Sequence, residues 1–169
     1  MRKTRSTFWW SGRIGISIAL GVVTFVLNWR IVMEANAAMP ISTGVVFSGK
    51  QTEQSAKVQP TLHIGAPYWT PSEGEIRQLE SALPEFLERS NGAAKIVRKL
   101  SSYRRQYLGY SDNGEKWILV NSFCEGYWKR DASWQNIAVV VYDGGDCYFR
   151  VRYRVLSRSF SGLDINGES

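Results

Sequence analysis

Histidine and cysteine are scarce in this sequence: one histidine, His63, and two cysteines, Cys124 and Cys147, in 169 residues. Zinc centres draw on clustered His and Cys ligands, and no such spacing occurs. The serine of a nucleophile elbow and the glycine-rich cradle of a phosphate loop are missing as well. Asp143-Gly144-Gly145-Asp146 comes nearest to a calcium loop, but it lacks the spaced oxygen ligands calcium needs and reads as a turn. Neither a metal nor a cofactor is expected. Also lacking are an internal repeat and an uncharged apolar run long enough to cross a bilayer unaided.

Positive charge is in excess but unevenly placed. Of the formal +6, the first 37 residues hold Arg2, Lys3, Arg5, Arg13 and Arg30 against Glu34 alone, so +4 lies there and +2 beyond it. The rest of the chain is nearly balanced, and nucleic acid is not expected as a partner. Ile14 to Leu27 is an uncharged apolar run behind four of those cations, the n-region and h-region pattern of a secretory signal. Ala35-Asn36-Ala37 supplies a small-x-small cleavage site.

A retained signal-anchor is the other reading of the same residues. As a helix the run spans about 21 Å against a hydrocarbon thickness of about 30 Å. Trp9, Trp10 and Trp29, with Arg13 and Arg30, would extend it to both interfaces. Either way the cations precede the run, which puts the N-terminus inside and the remaining chain on the periplasmic or otherwise extracytoplasmic side. Residues 1–37 are therefore expected to be a signal peptide or signal-anchor, and contact with the membrane is expected through them.

Aromatic residues are plentiful, with 7 Trp, 8 Tyr and 7 Phe, enough apolar surface to offset the ordering entropy of one folded domain. Residues 38–71, punctuated by Pro40, Pro60, Pro67 and Pro71, read as a linker or irregular wrap, with a short strand at Thr61 to Ile64 and with Tyr68-Trp69 packed on the domain. The domain is expected at 72–169. Ser72-Glu73-Gly74-Glu75 has the form of a capping box and should start a helix. Ile76, Leu79, Leu83, Phe86 and Leu87 make its apolar stripe, Pro84 should kink it, and Asn91-Gly92 should end it. Ala93 to Ser102 fits a short helix or a strand.

Beyond Tyr103 the periodicity falls to two and the composition turns aromatic and β-branched. Tyr103 to Tyr110 and Lys116 to Cys124 should form a hairpin through Asn113-Gly114. Trp134 to Tyr142 and Cys147 to Leu156 should form another across Asp143-Gly144-Gly145-Asp146, with a last short strand at Leu163 to Ile165. The expected fold class is α+β: one main amphipathic helix packed on a four- to five-stranded antiparallel meander sheet, a cystatin-like layout by analogy.

Four segments of this region, Tyr103-Arg104-Arg105-Gln106-Tyr107-Leu108-Gly109, Asn121-Ser122-Phe123-Cys124, Asp143-Gly144-Gly145-Asp146-Cys147-Tyr148-Phe149 and Asn166-Gly167-Glu168, resemble the strand-and-turn pattern of short exported bacterial proteins of uncharacterised function. The resemblance covers roughly the last third of the chain. It implies a bacterial envelope address and carries no activity with it.

Cys124 and Cys147 can both point inward from strand ends, and in an oxidising compartment they are expected to pair; two buried free thiols are the alternative. Arg150, Arg152 and Arg154 alternate with apolar residues, and Arg104 and Arg105 belong to a second basic cluster with Lys95, Arg98 and Lys99. These five arginines are the candidate anion- or partner-binding face, for an envelope protein or an acidic surface. The competing reading is a solvated sheet face balanced by acids such as Glu115 and Asp131. Tyr103, Tyr107, Tyr110, Trp117, Tyr127, Trp128 and Trp134 suit either a stacking platform or an ordinary sheet core. The function expected is a non-enzymatic binding module of the envelope. The alternative is a hydrolase-like enzyme using Asp143, Asp146 or Cys124, although His63 is far from them in sequence.

Overall fold

A serine three residues ahead of a glutamine or glutamate opens both longer helices. The computed structural model describes residues 44–124 and 132–167; the N-terminal segment, Tyr127, Trp128, Asp131 and Glu168 lie outside the described residues. Helix α1, Gly49–Val58, starts where the Ser48 hydroxyl accepts from the Gln51 N–H (3.3 Å) and the Gln51 side chain accepts from the Ser48 N–H (3.0 Å). Helix α2, Glu73–Glu88, repeats the device with Ser72 and Glu75. Its buried stripe is Ile76, Leu79, Leu83 and Leu87, as the spacing requires. Pro84 sits on the exposed side, and the helix continues through it.

Helix α3, Ala94–Arg98, and a 3₁₀ turn at Leu100–Ser102 settle the ambiguous stretch before the strands as helical. A five-stranded mixed sheet follows, made of β1 (Gly44–Val46), β2 (Tyr103–Asp112), β3 (Glu115–Cys124), β4 (Tyr148–Arg154) and β5 (Ser159–Ile165) in that spatial order. β2 to β5 form an antiparallel meander, and the Asn113-Gly114 turn has both residues at positive φ (49° and 80°).

Two expectations need correction. The meander is not the whole sheet, because β1 pairs with β2 in parallel, Gly44 opposite Arg105. Parallel neighbours need a long crossover, and α1, α2 and α3 supply it. The segment at 38–71 is thus no linker where it is described. It holds β1, α1 and a 3₁₀ turn at Pro60–Leu62 in place of the short strand, and Phe47 and Leu62 are buried. The layout departs accordingly from a single helix on a sheet.

The second correction concerns Trp134 to Tyr142, which forms no strand. A 3₁₀ turn at Ser133–Gln135 leads into an irregular run whose backbone is satisfied by side chains instead of a neighbouring strand. Gln106 donates to the carbonyls of Trp134 and Ile137 (2.9 Å to Ile137) and accepts from the Val139 N–H (2.9 Å). Asn121 donates to the Val139 carbonyl (2.8 Å) and to Gln106 (2.7 Å), the Ser55 hydroxyl accepts from the Ala138 N–H (3.0 Å), and Tyr148 donates to Asn121 (2.6 Å). Asn166 donates to the Val141 carbonyl. Backbone polar groups must find partners, and here buried amides provide them.

Both faces of the sheet are consequently covered. On one, the α2 stripe packs on Tyr103, Tyr107, Ile118, Val120, Phe149, Val151 and Tyr153, and Phe86 stacks on Phe160 with ring centres 5.0 Å apart. On the other, Phe47, Leu62, Leu108, Tyr110, Leu119 and Ala138 form a second core. No helix among the described residues is long and apolar enough to cross a membrane.

Trp69 bridges to Gly109 in β2, its N–H donating to the Gly109 carbonyl (3.1 Å) and its indole N–H to the Tyr110 carbonyl (2.9 Å). A Cβ at Gly109 would stand 2.9 Å from Trp69 Cδ2 and meet the Trp69 carbonyl as well. Gly109→Ala should therefore overpack the site and cost about 2 kcal/mol, read as a lower urea midpoint with an unchanged slope. An unchanged midpoint would show that Trp69 moves aside freely.

Candidate functional site

The strand arginines come to different fates, and the difference locates the site. Alternation along β4 puts Arg150, Arg152 and Arg154 on the face opposite α2, as the sequence suggests. Arg150 pairs with Asp164 (2.6 Å) and donates to the Thr61 carbonyl (2.8 Å). Arg154 pairs with Glu115 and lies over the Trp117 ring, 5.6 Å from its centre. Arg152 pairs with no carboxylate among the described residues. Burial raises the Tyr110 hydroxyl, and the nearby Arg152 guanidinium opposes that rise.

Arg104 lies 5.6 Å over Trp134 on the same side of the sheet. Arg105 does not belong to that surface. It faces α2, is only 4% exposed, pairs with Glu80 (3.4 Å) and donates to the Leu100 carbonyl (2.7 Å). Alternation in β2 separates Arg104 from Arg105, and burial of a guanidinium demands such partners. The five arginines thus make no continuous anion-binding face. α1, the Pro60–Leu62 turn and the run through Val139 cover most of the sheet surface they were expected to line.

Cys124 and Cys147 form a disulfide with Cα atoms 5.0 Å apart. The thiol weighed as a nucleophile is therefore engaged. Asp146 pairs with Lys99 (2.9 Å), its carbonyl accepts from the Tyr103 hydroxyl, and Asp143 is exposed on the same turn. The turn at Asp143 to Asp146 is fastened to the sheet and leaves neither acid beside His63.

What the fold does build is a cleft of about 400 Å³ at the hairpin end of the second face. Tyr110 and Trp117 wall it, and Arg152, Asp112, His63 and Ser161 present polar groups to it. His63 arrives there because it caps the Pro60–Leu62 turn in a left-handed conformation (φ 50°). Ser161 arrives opposite Arg152 on β5, beside a bulge between Arg150 and Arg152. Within the bulge Gly162 takes φ +62°, and a Cβ there would stand 2.9 Å from Arg152 Nη1, so the bare glycine leaves the guanidinium its space.

The cleft brings His63, Asp112 and Ser161 to one place, yet no hydrogen bond joins any two of them among the described residues. A serine nucleophile needs a base in contact and an acid behind the base. That relay is not assembled. Nothing in the sequence pointed to His63 and Asp112 as neighbours, because one ends a turn in the expected linker and the other ends a strand. Arg152 was legible as a surface strand residue, but the absence of a partner acid among the described residues was not. No family model, curated protein or solved structure matches the chain.

Burial shapes the tyrosines around both cores. It raises the Tyr103 and Tyr148 hydroxyls to about 12, with the nearby Asp146 adding to the rise for Tyr103. Tyr107, Tyr110 and Tyr153 rise by burial too. Folded pKa values above the unfolded value of about 10 mean that the unfolded chain releases these protons first as pH climbs. For Tyr103 and Tyr148 the contribution is thus intact below about pH 10 and lost between about 10 and 12. A urea midpoint that holds to pH 10 and then falls is the expected result. A midpoint flat to pH 12 would rule out buried neutral tyrosines.

Proposed function

We propose that the described domain is a non-enzymatic binding module placed on the extracytoplasmic side of a membrane, and that its cleft takes a small ligand. The observation that carries this reading is Arg152, a guanidinium without a partner acid among the described residues, in a cleft of about 400 Å³, within the size range of small-molecule sites. A flat acidic surface fits less well, because the neighbouring arginines are already engaged by Asp164 and Glu115.

The address rests on the cationic and apolar residues of 1–37, on the resemblance to short exported bacterial proteins, and on the Cys124–Cys147 disulfide, a bond that persists in oxidising compartments. The binding reading is preferred to an enzyme because Cys124 is bonded, Asp146 is paired, and His63, Asp112 and Ser161 form no relay.

Exposing the full chain, in mild detergent, to a small-molecule extract of bacterial envelopes tests the binding reading. Native mass spectrometry should reveal a bound compound that is released unchanged, with amide shifts at Gly65, Asp112 and Ser161. Conversion of the compound would establish an enzyme, and no adduct would remove the binding role. A C-terminal reporter active only outside the cytosol should be active; silence there would overturn the address.

A further inference from the structure

The cleft gathers charges of opposite sign, Arg152 and Asp112, in one lining. Tyr110 is 3% exposed and lines the cleft together with Arg152 and Asp112. Arg152 therefore supplies a planar cationic fork, and Asp112 an acceptor, to the same small volume. Trp117 supplies an aromatic wall, and Ser161 a further hydroxyl.

A guanidinium fork fits the two oxygens of a carboxylate or phosphate. Asp112 decides between them, since a fixed negative charge repels a phosphate dianion more than a single carboxylate, and itself calls for a hydroxyl or ammonium donor. We infer that the cleft binds a small monocarboxylate bearing hydroxyl or ammonium groups, Arg152 donating to the carboxylate and Asp112 accepting from the neighbouring donor. This rests on the binding reading above and specifies its ligand. Sugar acids and amino acids both carry this chemistry.

The test titrates the full chain, followed by amide shifts of Gly65, Asp112 and Ser161, with glucuronate, alanine, propionate, glucose and inorganic phosphate at millimolar concentrations. Glucuronate or alanine should bind saturably and at least about tenfold more tightly than propionate or glucose, and which of the two binds tells hydroxyl from ammonium recognition. Arg152→Gln should weaken that binding at least about tenfold, and Arg152→Lys, which keeps the charge without the fork, should weaken it less. An unchanged melting temperature in both variants establishes that they fold.

Glucose binding as tightly as glucuronate, with shifts at the same three residues, would overturn the acid assignment and leave the binding role standing. Phosphate as the tightest ligand would overturn the preference for a monocarboxylate. Silence from all five probes would overturn the ligand class, while the envelope-extract experiment judges the binding role separately.

Discussion

Gln106→Leu should destabilise the protein by about 3 to 5 kcal/mol, a large part of the 5 to 15 kcal/mol typical of a domain. The side chain is fully buried and serves three backbone groups of the irregular run, the carbonyls of Trp134 and Ile137 and the N–H of Val139, as well as accepting from Asn121. Leucine fills similar volume but satisfies none of them, and each buried group left unpaired costs about 1 to 3 kcal/mol. Relaxation of the run towards solvent would recover part of the sum. Hydrogen exchange should then speed up first at the Val139 amide. If that amide stayed protected and the urea midpoint moved by less than the equivalent of about 1 kcal/mol, apolar contacts of Ala138 and Val139, and not the amide network, would be holding the run.

Replacing both cysteines by serine should cost about 3.5 kcal/mol, the chain-entropy value for a bridge with a sequence separation of 23. The bridge joins the end of β3 to the turn before β4, where Lys99–Asp146 and the Tyr103 hydroxyl already fasten the same turn. The turn should therefore stay docked in the double variant, and the loss should appear as global stability. Equilibrium urea unfolding of the oxidised wild type, the reduced wild type and the double variant measures it. A difference below about 1 kcal/mol would mean that the unfolded chain is already compact around this segment.

The two helix starts contrast what a sequence signature delivers. Ser72 and Glu75 precede a stripe of leucines, so the capping box and the periodicity agree and α2 is readable. Ser48 and Gln51 form the same box, but the helix behind them buries Thr52 and Ser55 where a leucine stripe would stand. One of those, Ser55, is inward because its hydroxyl accepts from the Ala138 N–H, a residue far along the chain. A polar inward face is silent in a periodicity search, which is why α1 read as linker. The false strand at Trp134 to Tyr142 has the converse cause. Its apolar residues suit a strand, but Gln106 and Asn121 offer its backbone groups better-placed partners than β3 or β4 could.

The candidate site was legible only in pieces. Arg152 was recognisable as one of a row on a strand, and strand parity alone places that row. Whether each arginine meets an acid depends on Asp164 on the neighbouring β5 and Glu115 on the neighbouring β3, and so on register. His63 was visible as the single histidine, and nothing local placed it beside Arg152.

Taken alone, the sequence determined the class and the local pieces: an α+β domain, the α2 stripe, the Asn113-Gly114 hairpin, and two cysteines that could both face inward. These follow from interactions between residues close together in the chain, where spacing fixes geometry. Tertiary structure alone decided the parallel β1, the covering of the second sheet face, the acids that Arg105, Arg150 and Arg154 meet, and the cleft. Each depends on contacts between segments distant in sequence, where burial and hydrogen-bond satisfaction over the whole fold outweigh local preference.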